Sequence, residues 1–188
     1  MIEIAPYQDR WPGEFAAVAR RLRSALGEAA TRIDHIGSTS VPGLAAKDVV
    51  DVQVTVRDLD AAVELLTEAG FVPRADHTTD HCPPGLDLPT HELEKRMVAM
   101  PAGERRTNIH VRLEGRFNQR YPILFRDYLR AHPQAAAAIG ETKRALARNV
   151  AHDVAAYYDI KDPVYDVVLA AAEGWARAEG WRPGRTDA

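Results

Sequence analysis

Residues 35–51 concentrate the groups that could do chemistry. His35-Ile36-Gly37-Ser38-Thr39-Ser40-Val41-Pro42-Gly43-Leu44-Ala45-Ala46-Lys47-Asp48 runs straight into Val49-Val50-Asp51-Val52-Gln53-Val54-Thr55-Val56. A turn rich in glycine and hydroxyl residues can offer backbone N–H groups and side-chain hydroxyls to an anion, while a carboxylate on the adjoining strand can hold a divalent ion over it. That pairing points to phosphate chemistry, with Gly37, Ser38 and Thr39 as the cradle and Asp51 as the metal ligand and catalytic carboxylate. In an alternating strand Asp51 and Gln53 share a face, the spacing of a paired-acid metal site, but only the first is an acid. On spacing alone, the same residues read equally well as a structural turn followed by a strand-edge aspartate bonded to nearby backbone.

Two further groups join this stretch as candidates. Thr107–Leu113 alternates, turning Ile109, Val111 and Leu113 one way and Asn108, His110 and Arg112 the other. His35 and His110 are the residues suited to act as acid or base. Lys47, Arg112, Arg126 and Lys143 are the candidate phosphate-binding cations, arginine offering a planar fork and lysine a point charge; for Arg126 a structural pair with a carboxylate such as Glu114 is the rival reading. The segment His77-Thr78-Thr79-Asp80-His81-Cys82, with His91 beyond it, carries ligand types suited to zinc. Its spacing is not that of a zinc finger, and a mobile lid over the cleft is the expectation preferred.

The elements that must position these residues follow from periodicity. Helical spacing of Phe15, Val18, Ala19, Leu22 and Leu26 predicts a helix opening at Trp11-Pro12, with strands expected at 2–4, 31–36, 49–56, 71–72, 95–100 and 107–113. Asp58 is placed to cap a helix ending near Gly70. From Gln119 onward the pattern is helical, with a first helix through Leu129, a second starting at Pro133 and a third capped by Asp162-Pro163. Strands mostly precede helices, so the fold class expected is α+β: a small mixed β-sheet with helices on one face and a C-terminal helical layer. The polar strand faces, carrying Asp51, Gln53, His110 and Arg112, would line a cleft. One domain over residues 1–180 and a disordered tail over 181–188 are expected.

Bulk composition excludes several classes. A net charge of −3 and a pI near 6.2 give no overall attraction to nucleic acid or anionic membranes. There is no basic stripe with interleaved aromatics of the kind nucleic-acid binding uses. The one cysteine, Cys82, rules out an intrachain disulfide. The N-terminal residues lack a signal-peptide pattern and no apolar run reaches membrane-spanning length, so a cytoplasmic location is expected.

The stretch from His35 to Lys47 with its Val49-Val50-Asp51 strand closely resembles the signature of the GrpB family. The agreement extends through Asn108-Ile109-His110-Val111-Arg112, Leu124–Pro133, Thr142–Ala147 and Trp175. This family looks like a branch of the nucleotidyltransferase superfamily, and is similar to the C-terminal extension fused to dephospho-CoA kinase in some actinobacteria. No P-loop is present, so the chain resembles the free-standing form. The resemblance implies a nucleotidyltransferase-like fold, a nucleotide or other phosphorylated small molecule as ligand, Mg²⁺ or Mn²⁺ as cofactor and dephospho-CoA kinase as a partner. An active nucleotidyltransferase positions two metal ions with a pair of strand carboxylates and usually a third from a later strand. Here the pair is Asp51 and Gln53, and the later strand offers His110 and Arg112. Ligand binding with one metal or none is therefore the expectation, with metal-dependent nucleotidyl transfer, or an accessory role beside dephospho-CoA kinase, as the alternatives.

Overall fold

In the computed structural model, which describes residues 1–188, five strands form one mixed sheet: β1 (Ala30–Ile36), β2 (Val50–Val56), β3 (Val72–Arg74), β4 (Lys95–Ala99) and β5 (Thr107–Leu113). Their order across the sheet is β1-β2-β5-β4-β3, with β2 and β5 parallel and the other neighbours antiparallel. The helices are α1 (Trp11–Leu26), α2 (Leu59–Glu68), α3 (Phe117–Ala131), α4 (Pro133–Asn149) and α5 (Val154–Glu179). The fold is α+β, as the order of strands and helices implied.

The two-residue period of β2 divides the molecule. Val50, Val52, Val54 and Val56 are fully buried with Ile33, Val98, Ile109 and Val111 against the apolar stripes of α1 and α2. Burying each such side chain contributes about 1.5–3 kcal/mol, so this face holds most of the sheet's stability. Pro12 lies in the first turn of α1. Asp58 caps α2 by accepting hydrogen bonds from the Asp60 and Ala61 amides (3.0 and 3.1 Å), a cap worth about 1 kcal/mol. The opposite face of β2 and β5 carries Asp51, Gln53, Asn108, His110 and Arg112 towards the C-terminal helices. Those helices build a separate core in which Phe125, Leu129, Ala136 and Ile139 enclose Val41 and Leu44 of the segment joining β1 to β2.

Four expectations are corrected. The last helix does not begin at Asp162-Pro163. It starts nine residues earlier, where the Asp153 side chain accepts from the Ala156 amide (2.9 Å), and Pro163 lies inside it. Residues 2–4 form no strand; only Ala5 makes a bridge, to Ala46. The segment from 75 to 93 is anchored rather than free as a lid, because Asp80 bonds Arg112, Lys95 and Asn118. No set of three or more His, Cys, Asp or Glu side chains there or elsewhere is grouped to hold a metal ion. The tail lies along the outer edge of β1: Thr186 exchanges hydrogen bonds with the backbone of Ile33 (both 2.9 Å), and Asp187 accepts from the His35 amide (2.9 Å). A strand edge has unpaired backbone groups, and the tail's side chains satisfy three of them. No helix is long and apolar enough to cross a membrane.

Candidate functional site

Between the polar face of β2 and β5 and the inner surfaces of α3, α4 and α5 lies a cleft of about 470 Å³. Gly37, Ser38 and Thr39 form one wall. Gly37 has φ +68°, a left-handed conformation, and a side-chain Cβ there would fall 2.9 Å from Asp51 Cγ. Glycine is thus required twice over, by backbone conformation and by the close approach of the carboxylate. The turn continues as one 3₁₀ turn over Ser38–Ser40, braced by the Ser40 hydroxyl on the Gly37 carbonyl (2.5 Å) and by Arg130 on the Ser40 carbonyl (2.8 Å).

Asp51 stands on the cleft floor and accepts a hydrogen bond from Asn108 Nδ2 (2.8 Å), its register partner on β5. Burial raises its pKa, while Asn108 and then Lys143 pull it back. Lys143, from α4, is buried and donates to the Ala45 carbonyl (2.8 Å). Burial pushes its ammonium down to about 7, partly offset by the attraction of Asp51.

The cleft lining contains seven cationic side chains, Lys47, Arg74, Arg106, Arg112, Arg126, Lys143 and Lys161, and Asp51 is its one carboxylate. They fall into two groups. Arg112 gives a two-pronged contact to Asp80 (2.8 and 2.9 Å), and its remaining nitrogen donates to Gln53 Oε1 (2.8 Å). Arg126 is held by Asp127 (2.8 Å), Asp187 (2.6 Å) and the His35 carbonyl (3.0 Å). Arg74 pairs with Asp76 and Lys161 with Asp162. Lys47, Arg106 and Lys143 have no such carboxylate. Lys47 rests over the rings of Tyr157 and Tyr158 (4.4 and 4.8 Å), and burial, then the neighbouring Arg106, lowers its pKa. Arg112 and Arg126, named from the sequence as phosphate ligands, are therefore committed within the protein, whereas Lys47 and Lys143 are not.

The two histidines are separated by the sheet. Ile36 is the register partner of Asp51, so His35, one residue back, points to the opposite face. Its ring stacks on Phe15 (4.7 Å between centroids, 2° between planes) and its Nε2 meets Thr39 Oγ1 (3.0 Å). Burial, then Arg130 and Arg126, holds it down to about 3, so it stays neutral. The expectation that His35 serves as an acid or base in the cleft is corrected: it packs in the core and supports the turn from behind. His110 does line the cleft, but burial, then Arg112, holds its pKa well below the usual value. Its Nδ1 lies 3.2 Å from an Arg112 nitrogen that can only donate, which assigns the proton to Nε2. His110 thus presents a neutral N–H donor rather than a base.

Gln53 is fully buried and does not line the cleft. Its amide nitrogen donates to the Gln119 carbonyl (2.8 Å) while its oxygen accepts from Arg112, so it acts as a positioning residue rather than a ligand group. The donors present do not fit a two-metal centre. The second position of the acid pair is an amide locked inside the sheet, and the groups influencing Asp51 are Asn108 and the cations Lys143, Lys161 and Arg112.

Several lining residues are not among those the sequence points to: Arg74, Arg106 and the face of α5 that presents Tyr157, Tyr158, Lys161 and Tyr165. Lys161 sits over the Tyr165 ring (4.1 Å), and Tyr165 stacks on Phe125 (4.9 Å). The signal was the spacing of 158, 161 and 165 on one helical face, hidden once the helix was started at Asp162.

Comparison with known proteins places the chain. The profile of the family described as "GrpB protein" matches residues 1–171. A dephospho-CoA kinase of Mycolicibacterium paratuberculosis is 35% identical over 97% of this chain, which spans 48% of the length of that protein. A UPF0157 protein of Streptomyces coelicolor is 35% identical over 90% of this chain and 81% of its own. Among solved structures, the GrpB protein of Enterococcus faecalis superposes with a TM-score of 0.75 at 26% identity, covering 92% of this chain and 99% of that one. The Cid1 poly(U) polymerase gives a TM-score of 0.50 at 15% identity over 77% of this chain and 42% of its own, a likeness of fold alone. The chain belongs to the GrpB family.

Proposed function

We propose that this protein binds a nucleotide or another phosphorylated small molecule in the cleft between its sheet and its C-terminal helices. The observation that carries this reading is the charge imbalance left in the lining once the internal ion pairs are counted: Lys47, Arg106 and Lys143 have no carboxylate partner and face one carboxylate, Asp51, in a protein whose net charge is −3. Like charges gathered in a cleft repel one another, and an anionic ligand relieves the repulsion. The glycine turn supplies a wall that closely approaches Asp51, and Tyr158, which is exposed on α5, supplies aromatic surface at the edge of the cleft for a base or similar ring. Binding rather than nucleotidyl transfer is favoured by the amide at position 53. A screen of melting temperature against nucleotides and coenzyme A intermediates, with and without Mg²⁺ or Mn²⁺, tests this, since a ligand bound only by the native state raises its stability. An increase with a phosphorylated compound, lost on Lys143→Met, is expected. Magnesium-dependent incorporation of labelled nucleotide onto an acceptor, abolished by Asp51→Ala, would replace binding with transfer.

A second reading rests on the match over nearly the whole chain to about half of a dephospho-CoA kinase. In it the chain acts as an accessory module beside such a kinase, in the cytoplasm. Co-purification of the two proteins at equal stoichiometry would support it.

A further inference from the structure

We infer that the cleft receives the dianionic head of a phosphate monoester on Lys47, Arg106 and Lys143, without a bridging metal ion. This rests on the binding reading above and specifies its ligand head and its mode. Arg112, Arg126, Arg74 and Lys161 each have a carboxylate partner within the protein. Lys47, Arg106 and Lys143 remain, opposed in the cleft by Asp51 alone, which leaves two positive charges. The same two remain if Lys143 passes its proton to Asp51, because that exchange neutralises both. Two positive charges match the charge of a terminal phosphate near neutral pH.

Geometry supports the same assignment. The cations come from separate elements: Lys47 from the segment before β2, Arg106 from the residue before β5, and Lys143 from α4. Lys47, Arg106 and Lys143 line the same cleft as Asp51, and the charges of Arg106 and Asp51 act on Lys47 as those of Asp51 and Lys47 act on Lys143. Lys143 and Asp51 both line the cleft without forming a direct ion pair, the Lys143 ammonium donating instead to the Ala45 carbonyl. Asp51 is turned towards Asn108, a donor that satisfies a carboxylate oxygen without any cation. His110 adds a neutral N–H donor to the same lining.

A metal-held phosphate and a lysine-held one respond oppositely to the loss of Asp51. Where a metal bridges, the carboxylate is essential. Where lysines bind directly, it only repels the anion. The test is titration calorimetry with adenosine 5′-monophosphate and with inorganic phosphate, in Mg²⁺ and in EDTA, on the wild type and on Asp51→Asn, Lys143→Met and Lys47→Met. Expected are equal affinities in Mg²⁺ and EDTA, unchanged or tighter binding by Asp51→Asn, and a loss of about tenfold or more for each lysine variant. Lys47 is half-exposed, so its variant keeps the test decisive should Lys143→Met fold poorly. Binding that needs Mg²⁺, or that Asp51→Asn abolishes, overturns the metal-free mode while leaving the binding reading intact. Binding unaffected by either lysine variant overturns the assignment of the cations. Absence of binding to both probes under both conditions overturns the phosphate-monoester assignment; if the wider screen also finds no ligand, the binding reading falls with it.

Discussion

Gln53 accepts a hydrogen bond from Arg112 at 2.8 Å while donating to the Gln119 carbonyl at 2.8 Å, and so ties β2, β5 and α3 together in the sheet face below the cleft. Replacing it with alanine leaves a buried guanidinium nitrogen of Arg112 without its partner and removes the bond from β2 to the α3 backbone. Each unpaired buried group costs about 1–3 kcal/mol. Gln53→Ala is expected to lower the midpoint of denaturant unfolding at unchanged m-value, with the loss reading as about 2 kcal/mol or more. A neutral result would mean that water or a neighbour replaces the amide.

Asp80 carries the anchored segment between β3 and β4. Desolvation alone would raise its pKa, but Arg112 and Lys95 overcome this and hold the carboxyl well below the usual range. Removing one partner of a buried ion pair costs about 3–5 kcal/mol, so Asp80→Asn is expected to destabilise the fold strongly. Because the folded pKa is depressed, the stabilisation is present above about pH 4, the unfolded value, and is lost as pH falls below it. Urea titrations between pH 7 and pH 3 should show the wild type losing its advantage over Asp80→Asn as the medium becomes acidic.

Gly37→Ala is expected to damage the site as well as the fold. The left-handed backbone costs about 1–3 kcal/mol for a residue with a side chain, and the added methyl meets Asp51. Thermal unfolding should fall by several degrees. The amide signal of Asn108, which bonds Asp51, should shift in nuclear magnetic resonance spectra even where the variant remains folded.

Lys143 gives anion binding a definite pH dependence. Burial pushes its ammonium down to about 7, and a bound anion favours the charged form and raises it. Affinity is therefore full below about pH 7 and falls as pH rises through that value, while a phosphate monoester loses its second charge below about pH 6. Calorimetric titrations should show strongest binding near neutrality and proton uptake on binding at pH 8. In Lys143→Met the alkaline decline should vanish.

Much of this arrangement was legible in the sequence. The alternation in Val50–Val56 and Thr107–Leu113 reported which side chains share a face, and the glycine turn beside Asp51 marked the cleft wall. Register was the first thing local pattern could not supply. His35 sits next to the turn in sequence, but pairing of Ile36 with Asp51 turns it to the other side of the sheet. Partnership was the second: Arg112 and Arg126 have the right chemistry for phosphate, and only the folded chain reveals that Asp80 and Asp187 occupy them. Asp187 lies 61 residues from Arg126, beyond the reach of any local pattern. The tyrosine and lysine face of α5 was obscured by a single proline, because Pro163 reads as a helix start and is instead carried inside the helix.

The claim that the cleft recognises phosphate is tested most directly by comparing adenosine 5′-monophosphate with adenosine in the same calorimetric titration of the wild-type protein. The monophosphate is expected to bind and the nucleoside, which lacks the two charges, to bind at least about a hundredfold more weakly, two charge-assisted contacts being worth about 3 kcal/mol or more. Equal affinity for the two, or no heat from the monophosphate, would contradict the account.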